Sequence, residues 1–443
     1  MSGFGETWTK VAVLSDIAAI VWKSVACSSD GKYVLLGNLT NTITVSSDYG
    51  ETWQPKVIGN FVGNASAMNL SGQYQLTANT VLYRSNTSGT SWIQLTGPLA
   101  NQSYTGLCIS STGQFQYACS KFKSPALGTI IKSDDFGETW TTISDPLGNN
   151  RFTSIATDNT GQYVTVVASL PNPGIWTSSN GGETWSDNKL TTEEDDMVSV
   201  AMSGDGTYQT AVGSNGLSLL GSIYSSNDHG ETWSSISSTD YYYLLSIRMD
   251  STGRYRTTLG VDNMIFVSRN SGNTWILKGD TQRYASNAIS SDGVYQYATY
   301  SVFPSPIGGN VGVYRSTSVL LTINGSGKVK VGSITYNGPT TTFVLPGIIE
   351  AVSTDTSIFT RWAGINSSTS PIITVSEGGT LTANFAEAPV VTHRKYWPSQ
   401  TELTDDSKPC RCGCFKVAAN YTSAEERARA IRFAAAGCGC CRP

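Results

Sequence analysis

The chain of 443 residues is long enough for two or three domains with large cores, so size sets no limit on stability. Charged residues make up only 14% and the net charge is −4, a balance without the basic footprint of a nucleic-acid-binding surface. No apolar run is long enough to span a bilayer as a helix, and Met1 to Trp8 lack the basic start and apolar stretch of a secretory leader, so classical secretion from this N-terminus is not expected.

The first element in chain order is Phe4-Gly-Glu-Thr-Trp8, a truncated copy of a motif that returns along the chain. Full copies of Ser-x-Asp-x-Gly-x-Thr-Trp end at Trp53, Trp140 and Trp233, and weakened ones at Trp92, Trp185 and Trp275. The seven tryptophans stand 39 to 48 residues apart, a period suited to one four-stranded unit each. A second signature runs in step. It is a Gly followed two residues later by an aromatic, as in Gly31/Tyr33, Gly72/Tyr74, Gly113/Phe115, Gly161/Tyr163, Gly206/Tyr208, Gly253/Tyr255 and Gly293/Tyr295. A Gly-containing tight turn that leads into an alternating strand predicts a hairpin between the first two strands of each unit.

Seven residues before each of those glycines stand Ser24, Ala65, Gly106, Ser154, Ser199, Ser246 and Ser286. Two further on come Ala26, Ala67, Cys108, Ala156, Ala201, Arg248 and Ala288. Small residues are what radial packing requires where innermost strands converge on an axis, and only Arg248 breaks the rule. The repeats end at Val311 to Ser316 with no Trp-ended turn after them, so the N-terminal strand is expected to complete the last unit and close the ring.

On these motifs residues 1–317 resemble the Asp-box (bacterial neuraminidase repeat) propellers, a family that includes sialidases, xyloglucan hydrolases, sortilin-type receptors and a photosystem assembly factor. The resemblance implies an all-β, seven-bladed β-propeller in which each box is a structural hairpin. Asp48, Asp135 and Asp228 then hold turns, and Trp53, Trp140 and Trp233, with the other four, wedge between blades. Both kinds of turn follow alternate strands and belong on one face of the disc. The variable loops lie on the other, the natural recognition surface.

That second face carries the candidate ligand-binding residues. Tyr241, Tyr242 and Tyr243 make a possible sugar-stacking platform, and Glu193, Glu194, Asp195 and Asp196 form an acidic run. The acidic run reads first as a solvated loop and, in the alternative, as half of a glycosidase carboxylate pair. The early arginine motif of sialidases is absent. With His229 and His393 the only histidines, no histidine triad or His-rich metal centre is available, and no cofactor is expected. Asn-x-Ser/Thr triplets recur, for example at Asn38, Asn64 and Asn324, as they do by chance in any chain rich in these residues.

Residues 318–387 abandon the period and read as short strands: Val319 to Ile323, Lys328 to Thr335, Thr341 to Leu345, Ile348 to Ser353, Ile372 to Val375 and Leu381 to Phe385. Gly-Lys-Val-Lys-Val, Arg361-Trp-Ala-Gly and Leu381-Thr-Ala-Asn-Phe385 resemble the divergent internalin-type B repeat. That resemblance implies a spacer or adhesion module. Residues 388–443 are a polar linker and a Cys-rich tail with one short helix expected from about Ala424 to Ala436, opened by a Ser423/Glu426 capping box. Cys410, Cys412, Cys414, Cys438, Cys440 and Cys441 flank it as disulfide partners or thiolate metal ligands. Cys27, Cys108 and Cys119 read as small core residues.

The sequence therefore favours a non-enzymatic recognition or structural protein that takes a glycan or protein ligand on the variable face. Its tail would serve assembly, and its setting would be a virion or cell surface. A polysaccharide-active hydrolase is the alternative.

Overall fold

The computed structural model describes residues 4–387 apart from 6–7, 12–21, 39, 60–62, 97–101, 122–127, 144–149, 170, 189–194, 216–219, 237–242, 262–263, 280–283, 301–311, 332–333, 345–346, 355–356, 365 and 376–378. The expected tail helix and the six tail cysteines lie outside the described residues, and no helix occurs among them.

Runs of β-branched and small residues, such as Val164–Ser169 and Thr42–Ser46, are buried over almost their whole length, as strands covered on both faces are. They assemble into seven four-stranded antiparallel sheets among the described residues up to 317. Sheets 1 to 6 occupy 22–57, 65–94, 103–143, 151–188, 195–236 and 244–279, each with its strands in chain order. Sheet 7 takes three strands from 284–317 and its outermost from the N-terminus, where Thr9, Lys10 and Val11 pair with Arg315, Tyr314 and Val313. The expected pairing of the two chain regions is thus present.

First strands of successive sheets touch in cyclic order, that of sheet 7 meeting that of sheet 1. The turns after these strands are also joined head to tail. Ser29 donates its N–H to Leu70 O at 2.8 Å, Ser111 to Asn159 O at 2.9 Å, Asn159 to Gly204 O at 2.9 Å, and Gly204 to Ser251 O at 2.8 Å. Ser251 donates to Ser291 O and Ser291 back to Ser29 O, both at 2.8 Å. Between sheets 2 and 3 the Asn69 side chain supplies the link, donating to Ser111 O at 3.3 Å.

Each turn is built alike. The aromatic N–H donates to the side chain five residues earlier, as from Tyr33 to Ser28 Oγ at 2.9 Å and from Tyr163 to Asp158 Oδ1 at 3.0 Å. Gly31 has φ +77°, and a Cβ there would lie 2.7 Å from the Tyr295 ring of sheet 7. Both the left-handed backbone and the ring of the preceding turn therefore demand glycine.

Tryptophans of the Asp turns stand in the clusters between sheets. Trp53 joins Val11, Trp22, Tyr297 and Val313 between sheets 1 and 7. Trp140 packs with Leu76, Leu82 and Tyr104 between sheets 2 and 3, and Trp233 with Ile175, Met197 and Tyr224 between sheets 4 and 5. Trp53 is buried, whereas Trp140 and Trp233 are partly buried against these clusters.

The small residues of the first strands line a central channel of about 330 Å³. In six of the seven sheets a bulge precedes them, for example between Phe152 and Ser154, a feature with no separate sequence signature. Cys119 is buried as expected, whereas Cys27 and Cys108 are only partly buried and border this channel.

Beyond 317 the chain forms two further four-stranded sheets. One orders Thr340–Val344, Val319–Asn324, Gly379–Glu387 and Ser357–Gly364, the middle two parallel; the other orders Ile334–Asn337, Lys328–Val331, Gly347–Val352 and Ile372–Val375. Their inner faces share a core around Leu321, Val329, Ile349, Trp362 and Leu381. Two strand expectations need correction. Lys328 to Thr335 is not one strand but two, a hairpin pairing Val331 with Ile334. Ser357–Gly364, unmarked by clean alternation because of the shift between Phe359 and Arg361, is a strand.

Candidate functional site

The Asp turns close each third strand onto the fourth. In Ser133 to Trp140 the Asp135 carboxylate accepts from Thr139 N at 2.8 Å, Thr139 Oγ1 at 2.6 Å and Ser133 Oγ at 2.8 Å, and Ser133 Oγ accepts from Gly137 N at 2.9 Å. Asp48 makes the matching set with Thr52 and Ser46, and Asp228 with Thr232 and Ser226. Removal from water alone would raise these carboxyl pKa values. The hydrogen bonds from Thr, Ser and backbone outweigh it and hold all three below the usual carboxylate range. Asn180 and Asn270 make the same turn without a charge, accepting from Thr184 N at 2.9 Å and Thr274 N at 3.0 Å. These acids are occupied as turn holders.

A further constraint was not legible in the motif. The residue before the turn glycine is itself left-handed at Tyr49, Ser88, Phe136, His229 and Ser271, with φ between 53° and 63°. Its N–H donates across to the Gly-aromatic turn of the same sheet, as from Tyr49 to Lys32 O at 2.9 Å and from Phe136 to Gln114 O at 3.1 Å. Both turn types therefore share one face, as the strand order requires. His229 stacks on Tyr163 of the neighbouring sheet, with ring centroids 4.3 Å apart, which gives this histidine a packing role.

The opposite face receives the starts of the first strands. Asp195 and Asp196 open the first strand of sheet 5, Asp195–Met202, in register with Asn215 and Ser214. Tyr243 immediately precedes the first strand of sheet 6, Leu244–Met249, and is 36% exposed; its carbonyl accepts from Val261 N at 2.9 Å. These two strands are in contact, so the acidic and tyrosine candidates stand at the same end of neighbouring strands. Asp195 and Asp196 thus belong to a strand rather than to a loop. Glu193, Glu194, Tyr241 and Tyr242 lie outside the described residues.

Several arginines have partners that fix the fold. Arg84 of sheet 2 forks onto Glu138 in the Asp turn of sheet 3 at 2.7 and 2.5 Å. Arg315 of sheet 7 pairs likewise with Glu51 of sheet 1 at 2.7 Å. Arg256 is fully buried, donating from Nε to Gly253 O at 2.8 Å and from Nη1 to Thr210 of the neighbouring sheet. Burial lowers its pKa to about 10, with nearby Asp250 and Tyr208 pulling the other way. Gln75, Gln116 and Gln209 make the same side-chain bond to their own turn glycines, at 2.8, 3.0 and 3.2 Å, so Arg256 stands where four other sheets, with Gln296, carry glutamine.

Comparison with solved structures identifies the fold as a β-propeller. YCF48 bound to a D1 peptide aligns with a TM-score of 0.51 at 15% identity, over 70% of this chain and 96% of that one. The WD40 repeats of RRP9 align with a TM-score of 0.55 at 8% identity, over 72% and 99%. The GH74 xyloglucanase from Xanthomonas campestris aligns with a TM-score of 0.50 at 12% identity, over 69% of this chain and 55% of that one. At these identities the likeness is one of fold alone. No protein-family model matches the chain, and no curated protein sequence matches it.

Proposed function

We propose that this propeller is a closed, seven-bladed ring of the Asp-box type and acts as a non-enzymatic recognition module. It binds a glycan or a protein through the face opposite its Asp turns. The head-to-tail bonds that return from Ser291 to Ser29 support the closed ring. The observation that carries the functional reading is the juxtaposition of Asp195 and Asp196 with Tyr243 at the starts of neighbouring first strands. An aromatic beside an acidic residue at neighbouring strand starts is suited to a sugar face with its hydroxyls, or to a basic peptide. The peptide bound by a propeller of the same fold makes a protein ligand the natural counterpart to a glycan.

The small β unit, in its likeness to an internalin-type B repeat, and the Cys-rich tail supply spacing and attachment in this reading. The low-charge surface fits exposure on a virion or cell. The test is to incubate the full chain with sialylated, algal and bacterial-type glycans and a basic-peptide library, scoring retention and sugar release together. Retention that Tyr243→Ala or Asp196→Asn weakens supports the proposal. Sugar release overturns it in favour of a hydrolase, and silence in every arm removes the ligand-binding role.

A further inference from the structure

At one level of the central channel six first strands carry Ala26, Ala67, Cys108, Ala156, Ala201 and Ala288, and the seventh carries Arg248. An arginine in a slot sized for alanine costs desolvation of a permanent charge, and such a charge is ordinarily paired. Here it is not paired with an acid among the described residues. Arg248 Nη1 donates to Ile247 O at 2.7 Å and lies 3.5 Å from Ser199 Oγ; among the described residues Nε and Nη2 have no hydrogen-bond partner. A guanidinium has five N–H donors, so most of its capacity is unused.

The surroundings make the cavity electropositive. Among its described lining residues Lys23 and Arg248 are the charged ones, both basic, and none is acidic. Carboxylates of the turns that follow the first strands are engaged by their own turns, among them Asp250, two residues beyond Arg248, which accepts from Thr252 Oγ1 and from Tyr255 N at 2.9 Å. Asp30 Oδ1 accepts from Ser28 Oγ at 2.6 Å and Lys32 N at 3.0 Å, and Asp292 Oδ1 from Ser290 Oγ at 2.6 Å and Val294 N at 3.0 Å. Burial also holds the Arg248 pKa below its ordinary value, with neighbouring Cys27 opposing that shift, as befits a cation without an anionic partner. The guanidinium stays protonated at neutral pH regardless.

We infer that the channel is an anion-binding site, in which the free edge of Arg248, with Lys23 of sheet 1 also lining the channel, takes the oxyanionic group of a small ligand, a carboxylate or a phosphate. The planar fork of Nε and Nη2 matches two oxygens of such a group, and a channel of about 330 Å³ admits a small molecule bearing it. This site is separate from the proposed recognition face.

The test is isothermal titration of the full chain with sodium acetate and, separately, inorganic phosphate, against chloride at matched ionic strength. One saturable site for either anion is expected, and the preferred anion distinguishes carboxylate from phosphate. Arg248→Met should weaken that binding about tenfold or more, Arg248→Lys less, and Lys23→Met least. In chloride buffer without acetate or phosphate Arg248→Met should unfold at a higher temperature than the native chain, because an unpaired charge has gone, whereas saturating acetate or phosphate should raise the unfolding temperature of the native chain alone. No saturable binding by the native chain, or undiminished binding by Arg248→Met, overturns the inference. Should Arg248→Met fail to fold, the native titration and Arg248→Lys decide it.

Discussion

Arg315, in sheet 7, donates from Nη1 to the carbonyl of Tyr49 in sheet 1 at 2.6 Å, across 266 residues of chain. With the Tyr297 hydroxyl donating to Gly31 O at 2.8 Å, it clasps sheet 7 to sheet 1. Arg315→Met should lower stability by about 1.5–3 kcal/mol, the worth of a hydrogen bond made by a charged donor. Glu51 is 64% exposed, so the ion pair adds little, and Glu51→Gln should move the urea midpoint far less. Equal shifts in the two variants would show that the salt bridge and not the carbonyl contact matters.

The Asp turns impose an acid limb on stability. Because Asp48, Asp135 and Asp228 have folded pKa values below those of the unfolded chain, the unfolded state binds more protons between the two. Their stabilisation is complete above the unfolded value of about 3.9 and is lost as pH falls through the lower folded values. A triple Asp→Asn variant, which copies the natural turns at Asn180 and Asn270, should fold and show a shallower loss below about pH 4 in urea midpoints measured against pH. An unchanged acid limb would remove the turns from its cause.

Gly37 lies in an extended strand, so its glycine is not required by backbone conformation. A Cβ there would stand 2.4 Å from Ser24 Oγ and 2.5 Å from Gly63 Cα, in the contact between sheets 1 and 2. Gly37→Ala should cost about 1–3 kcal/mol by overpacking against backbone that cannot move aside. Full stability in denaturant unfolding would mean that the sheets can separate without penalty.

Phe4 is fully buried against Tyr255, with ring centroids 4.9 Å apart, and its carbonyl accepts from Arg269 Nη2 at 3.0 Å. Phe4→Ala should cost about 3–5 kcal/mol, as large-to-small changes in a packed core do. Protease should then cleave first in the N-terminal segment, read by mass spectrometry of early fragments. Cleavage elsewhere would mean that this strand does not limit ring stability.

Trp362 lies in a core made only of residues from 319 to 383. Trp362→Ala should destabilise that unit by about 3–5 kcal/mol and leave the unfolding of the repeats in place. Hydrogen exchange resolved by segment reads the two separately, and acceleration in both would make them one cooperative unit.

The repeats and both turn types were legible in the sequence because they are local. Asp135 bonds to residues within four positions of itself, and Tyr163 bonds to Asp158 five residues earlier, so the chemistry of each turn is written in adjacent letters. The bulge before Ser154 and the left-handed Phe136 escaped, since neither needs a distinctive residue type. In the small unit the strand around Trp362 escaped because a register shift broke its alternation. Of the candidate recognition residues, the sequence named Asp195, Asp196 and Tyr243 but gave no reason to set them side by side.

What the sequence by itself determined was the repeating hairpin chemistry and the small residues of the first strands, each a requirement satisfied within one repeat. Only the tertiary structure decided the register in which Thr9 meets Arg315, that sheets 5 and 6 bring their strand starts together, and that Arg248 opens into a channel with no acid among its described lining residues. The physical reason is range. Turn hydrogen bonds span a few residues, whereas pairing register between distant segments and the channel depend on how all the sheets stand to one another, which no single repeat encodes.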